Sequence, residues 1–129
     1  MKKILLLLGI TVSGALAANL HYSPNYKHCL DSSDGSTISM RSCNAKELKY
    51  QDSLLNSNYK KAMVVLSSSQ KKDLKKAQRL WIKYRDANCK TYSNLIGGTI
   101  DLLNIGGCHI DMTARRAQEI KKIVEIVGG

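Results

Sequence analysis

The chain has 129 residues, 43% of them hydrophobic and 23% charged, with four cysteines, one tryptophan and no phenylalanine. That length suits one domain and excludes two of ordinary size. Lysine and arginine outnumber aspartate and glutamate 20 to 10, a formal charge of +10. Such a charge would suit nucleic acid, but the export signal described next argues against access to it. It leaves anionic envelope polymers, lipid headgroups, or a solvated lysine surface that serves solubility.

The N-terminus has the layout of a cleavable leader. Lys2 and Lys3 precede the apolar run Ile4 to Leu8, Ile10 and Val12, and Ala15-Leu16-Ala17 supplies the small-x-small cleavage pattern. The expected cut follows Ala17 or Ala18, so residues 1–18 are the signal peptide and residues 19–129 the mature domain. The apolar run is shorter than the roughly 20 residues that a spanning helix needs. No cysteine follows the small residues to carry a lipid, and the mature chain is expected without a stable membrane anchor, periplasmic or secreted. In that oxidising setting Cys29, Cys43, Cys89 and Cys108 are read as two disulfides, in one of three pairings.

From Asn19 to about Ser42 the chain is polar, holds the single proline and contains the turn-forming run Asp31-Ser32-Ser33-Asp34-Gly35-Ser36. The expectation is an irregular arm pinned by Cys29 and Cys43. Asn44, with Glu47 three residues on, reads as the cap of a first long helix, Ala45 to Leu66. Ser67-Ser68-Ser69 breaks the pattern, and a second helix follows from about Gln70 to Ser93. The Gly-rich segment Asn94 to Gly107 then separates it from a third, Ile110 to Val127, whose Ala114, Ala117, Ile120, Ile123, Val124 and Val127 keep helical spacing. The fold class is all-α: a small three-helix antiparallel bundle with an irregular N-terminal arm, stapled by two disulfides.

Leu48, Asp52, Leu55, Tyr59 and Met63 form one stripe, and Leu74, Gln78, Trp81, Arg85 and Cys89 another. Folded as a hairpin about Ser68, they place Met63 by Leu74, Tyr59 by Gln78, Leu55 near Trp81, Asp52 by Arg85 and Leu48 by Cys89. Asp52, Tyr59, Gln78, Trp81 and Arg85 are therefore the expected structural polar core. In that register Cys43 lies about 7 Å along the axis from the Cys89 level, at or beyond the reach of a bridge. Cys29 with Cys43 and Cys89 with Cys108 fit better.

At this point the residues form a recognisable pattern. Asp52-x-x-Leu55-Asn56-x-x-Tyr59, then Gln78-x-x-Trp81-x-x-x-Arg85-Asp86-x-x-Cys89, then Gly97-Gly98-Thr99, Cys108 and Thr113-x-x-Arg116 resemble the LprI-like family, which takes its name from a lysozyme inhibitor. The resemblance covers about Cys29 to Ile120. It implies a small exported helical domain with disulfides, and lysozyme as a partner; it brings no catalytic residues and no cofactor.

The chemistry sought beside that resemblance is sparse. His28 adjoins Cys29 and His109 adjoins Cys108, but the spacing matches no common zinc site, so no metal is expected. No nucleophile elbow or Cys-His signature is present, and of the few carboxylates Asp52 is assigned to Arg85 and Asp86 to solvent or a nearby lysine. The expected protein is not an enzyme. Trp81 reads first as core and second as a ligand-stacking ring.

The most suggestive segment is the loop between the two Gly-Gly pairs, with Gly97, Gly98, Thr99, Ile100, Asp101, Leu102 and Leu103 as a candidate binding surface. Its apolar side chains either fold back over the helix ends or form a preorganised contact. Two functions follow: a lysozyme inhibitor acting by binding, or a basic envelope protein that interacts with anionic envelope polymers. Many lysozymes are themselves basic, so an inhibitor of this charge relies on close fit more than on steering.

Overall fold

The computed structural model describes residues 20–128, and the leader expected at 1–18 lies outside the described residues. Among the described residues the chain forms four helices, α1 (Pro24–Asp31), α2 (Thr37–Val65), α3 (Ser68–Lys90) and α4 (Ile100–Gly128), and no strand. The all-α reading holds, with one helix more than expected. None of the four is long and apolar enough to cross a membrane.

The additional helix is α1, where an irregular arm was expected. Pro24 at its first turn sets φ for helix and needs no N–H partner. An eight-residue helix is unstable alone, so its stability comes from α2. The Tyr26 hydroxyl donates to Asn44 Oδ1 at 2.7 Å, the Ser23 N–H donates to Glu47 Oε1 at 2.9 Å, and the Ser23 hydroxyl donates to Glu47 Oε2. The Cys29–Cys43 disulfide, with Cα atoms 5.7 Å apart, locks the two helices together.

α2 starts at Thr37, about two turns before the expected Ala45. Its cap is Ser36, whose hydroxyl accepts from the Ser39 N–H at 3.2 Å; the run of turn formers carries the cap within it. Asp34 accepts from the Ser36 N–H at 2.9 Å and from the Ser39 hydroxyl at 2.6 Å, and those bonds hold its carboxyl down at a pKa of about 2. Asn44 is interior to the helix. α3 opens on a capping box, Ser67 with Gln70, two residues before its expected start, and ends at Lys90 rather than Ser93. α4 begins at Ile100, about three turns before the expected Ile110. Gly106 and Gly107 therefore lie inside a helix, not at the end of a loop.

α2 and α4 run parallel, and α3 is antiparallel to both. The Thr37 hydroxyl bonds that of Thr99 at 3.0 Å, Asn44 faces Gly106, the Asn58 amide donates to the Ala117 carbonyl at 2.9 Å, and Val65 faces Gly128. Ala62, Ala114 and Ala117 on the facing sides let the two backbones approach. The core is Leu55, Ala62, Leu66, Leu74, Ala117 and Ile120, with Tyr59, Met63, Trp81, Ile123 and Val124 packed around it.

The expected α2–α3 register is kept in part. Arg85 Nη1 stands 3.9 Å from Asp52 Oδ1. Gln78 does not serve Tyr59: its Oε1 accepts from Arg116 Nε at 2.9 Å. Cys89 is bonded to Cys108 across to α4, with Cα atoms 5.5 Å apart, while Leu48 lines a groove with Leu102 and Ile105. The cause is α4, which packs along the whole of α2 and supplies the partners that Gln78 and Cys89 were expected to find there.

Candidate functional site

The end of the bundle where α3 turns into α4 carries the clearest construction. α3 closes on Thr91, whose hydroxyl donates to the Asn88 carbonyl at 2.6 Å. The chain then reverses through three residues in the left-handed region, Asn94 at φ 63°, Gly97 at 88° and Gly98 at 88°. Glycine takes that region without strain, and asparagine takes it more readily than most residues.

Asp101 organises this turn. Its side chain points back from the first turn of α4, is 5% exposed, and accepts from the Ile96 N–H at 3.2 Å on Oδ1 and the Gly97 N–H at 3.0 Å on Oδ2. A carboxylate at a helix N-terminus is also favoured by the helix dipole. The Thr37–Thr99 bond ties the turn to the start of α2, and the Cys89–Cys108 bridge closes its base.

What this scaffold presents is apolar. Leu95 is 61% exposed and Ile96 74%, with Ile100 and Leu102 exposed beside them. Of the seven residues singled out as a binding loop, Gly97, Gly98 and Thr99 lie in the turn, whereas Ile100, Asp101, Leu102 and Leu103 lie in α4. Asp101 is a support and not a contact surface. Leu95 and Ile96, the most exposed large apolar side chains of the turn, are not among the seven; the pair of left-handed glycines just after them is the signal that marks them as a displayed tip.

The polar core forms a second cluster. Arg85 stacks over Trp81 at 5.0 Å from the ring centre, donates to Asp86 Oδ1 at 3.0 Å, and reaches Thr113 Oγ1 at 3.4 Å. Asp86 is half exposed, as expected, and its charged partners are Arg85 and His109, whose Nδ1 lies 3.9 Å away, rather than a lysine. Burial, and then the Arg85 charge, hold the His109 pKa below its ordinary value. Trp81 and Tyr59 pack against the apolar core.

A third cluster joins the N-terminal segment to α2 and α4. Glu47 is 2% exposed and accepts from Ser23 and from Gln51 Nε2 at 2.7 Å; Gln51 Nε2 also donates to the His21 carbonyl at 2.9 Å. Glu47 had been expected to cap a helix, and is instead the anchor of the arm. The Tyr22 hydroxyl donates to Asp111 Oδ1 at 2.7 Å, and burial together with that carboxylate raises its pKa to about 12. An open cleft of about 490 Å³ beside this cluster is lined by Tyr26, His28, Lys46 and Tyr50. All four cysteines are in disulfides, so none offers a thiolate nucleophile.

The chain is 27% identical over 104 residues to an uncharacterized protein of Rhizobium meliloti (strain 1021), a match that covers 70% of this chain and 75% of the relative. No solved structure matches it significantly. The family model described as Lysozyme inhibitor LprI matches residues 29–120, a span from the first cysteine through the Trp81–Arg85 cluster and the displayed turn to the last buried residue of α4. With most of its length inside that match, the chain belongs to the LprI lysozyme inhibitor family.

Proposed function

We propose that this protein is exported, with residues 1–18 as its cleaved leader, and acts by binding and inhibiting a lysozyme, without catalysing a reaction itself. We further propose that the tip formed by Leu95, Ile96 and Ile100 is the contact. Family membership supports the activity, and the two disulfides support an oxidising compartment. The observation that carries the contact surface is the buried Asp101 carboxylate, which holds the backbone N–H groups of Ile96 and Gly97 while the adjacent side chains stand in solvent. A loop ordered before binding loses little freedom on binding, so its apolar surface is turned more fully into affinity. An apolar tip also suits a basic enzyme, which a basic protein cannot attract at long range.

The test is turbidity-based lysis of peptidoglycan by several lysozyme types, with and without the protein. Inhibition is expected for at least one type, and the Leu95→Ser, Ile96→Ser, Ile100→Ser variant is expected to inhibit about tenfold more weakly or worse, a loss of about 1.4 kcal/mol. Asp101→Asn, which weakens the hold on the turn, should lose part of the inhibition with no contact residue changed. Failure to inhibit any type overturns the activity. Full inhibition by the triple variant overturns the tip.

A further inference from the structure

The outward side of α3 is a ridge of unpaired positive charge. At 100° per residue, Lys72, Lys75, Lys76, Arg79 and Lys83 fall opposite Leu74, Gln78, Trp81 and Arg85, which face the bundle. From Lys72 to Lys83 the line runs about 17 Å, and Lys90 lies on it one turn beyond Asp86. All six are exposed, and none is ion-paired among the described residues. Asp73 and Asp86 are the only acids of α3, and Asp86 is held by Arg85.

A ridge that served solubility alone would gain from alternating charge, as α1 and α4 show. Lys27 pairs with Asp31 in α1, and Arg116 with Glu119 and Lys121 with Glu125 in α4. On α3 the neighbours one turn apart are instead alike: Lys72 with Lys76, Lys75 with Arg79, Arg79 with Lys83. Like charges at that spacing weaken a helix. The arrangement stores repulsion that a bound polyanion relieves.

We propose that this ridge is a binding face for a linear anionic glycan, separate from the lysozyme contact. The cations follow one another in a single narrow column, so one strand laid along the helix meets them in succession. A shallow trough of about 410 Å³ runs between Lys72, Lys76, Arg79 and Lys83 and is floored on one side by Leu80. Leu80 and Tyr84, 58% and 63% exposed, flank the column about a quarter turn or more around the helix. A sugar ring has an apolar face that packs on such side chains while its carboxylates or phosphates meet the lysines. A bare phosphate chain has no use for them, and a flat lipid surface resting on the ridge leaves them to one side.

The experiment measures binding of the disulfide-bonded protein to polygalacturonate, to inorganic polyphosphate and to vesicles of phosphatidylglycerol with phosphatidylcholine, each over a series of salt concentrations. Polygalacturonate is expected to bind, with log affinity falling steeply and linearly against log salt. Lys72→Gln, Lys76→Gln, Arg79→Gln and Lys83→Gln together should weaken it about tenfold or more, with an unchanged or higher melting temperature because repulsion is removed. A matched variant on α2, with Gln for Lys46, Lys49, Lys60 and Lys61, should bind as the parent does. Tyr84→Ala should weaken the glycan and leave any polyphosphate binding unchanged. Equal loss in the two quadruple variants would mean net charge without a site, and overturns the proposal; so does binding to vesicles or polyphosphate in preference to the glycan, or no binding at all. Lysozyme inhibition by the α3 variant should stay at the parental level, which separates this face from the tip.

Discussion

His109 faces Asp86 and Arg85 from α4, with Asp52 beyond, and burial followed by the Arg85 charge keeps its pKa below the ordinary value. The folded protein therefore holds fewer protons than the unfolded chain in the window between the lowered pKa and the ordinary one of about 6.5. Stability from this group is fully present above that ordinary value, falls as pH drops through the window, and is lost once the lowered pKa is passed. Asp34 acts in a lower window, losing its contribution as pH falls from the usual carboxylate range through about 2. Melting temperatures between pH 7.5 and 5 should decline in the parent and decline less in His109→Gln; identical slopes would show the imidazole to be uncoupled from folding. Residues of this kind were legible in the sequence to different degrees. Arg85 and Trp81 stood out because they interrupt or anchor an apolar stripe. Glu47 reads in the sequence as a capping-box residue and Gln51 carries no signal at all, because only the folded-back Ser23 and His21 supply the donors and acceptor that let them be buried. Arg116 belongs to the motif Thr113-x-x-Arg116, yet its bond to Gln78 depends on α4 lying beside α3, which stripe matching between consecutive helices cannot reveal.

At the scale of elements, the two adjacent glycines of α4 have different roles. A Cβ on Gly106 would stand 2.9 Å from the Asn44 amide nitrogen, and Asn44 is held in place by the Tyr26 hydroxyl; at Gly107 there is open space. Glycine in a helix interior costs roughly 0.5–1 kcal/mol relative to alanine. Gly107→Ala should therefore stabilise the protein by about that much. Gly106→Ala should gain less or lose stability, because Asn44 must move off its partner. Urea midpoints for the two variants check this, and equal gains would show that α2 and α4 are not in close contact there. The same glycines account for the misplaced start of α4. Two Gly-Gly pairs in a short stretch read as loop, because sequence shows the conformational freedom of glycine and not the neighbour that requires its lack of a side chain. The first pair is indeed a turn, with both residues left-handed. In the second, Gly106 is a point of close approach to α2. The helical arm was missed for a related reason: its intrinsic tendency is weak, and the bonds and disulfide that hold it reach into α2.

At the scale of the molecule, the all-α class and a bundle of long helices follow from apolar periodicity alone. That periodicity leaves open which pair dominates, and the answer is the pair that is not consecutive. α2 and α4 run side by side in the same direction, so their partners are far apart along the chain: 62 residues for Thr37 and Thr99, 59 for Asn58 and Ala117. The helices of an ordinary helical hairpin can meet soon after each is formed. Here the longest interface cannot begin until α3 has carried the chain back and α4 has followed. Contacts of large sequence separation slow folding, since a long loop must be closed before anything is gained. This protein should accordingly fold more slowly than helical bundles of its size dominated by consecutive pairs, as stopped-flow refolding with disulfides intact would measure. A chain ending at Thr99 should retain helical circular dichroism but melt without a cooperative transition; a sharp transition in that fragment would show that α2 and α3 suffice. Under the export proposed above, the late arrival of α4 would keep the longest interface from assembling before translocation until the C-terminal residues are made.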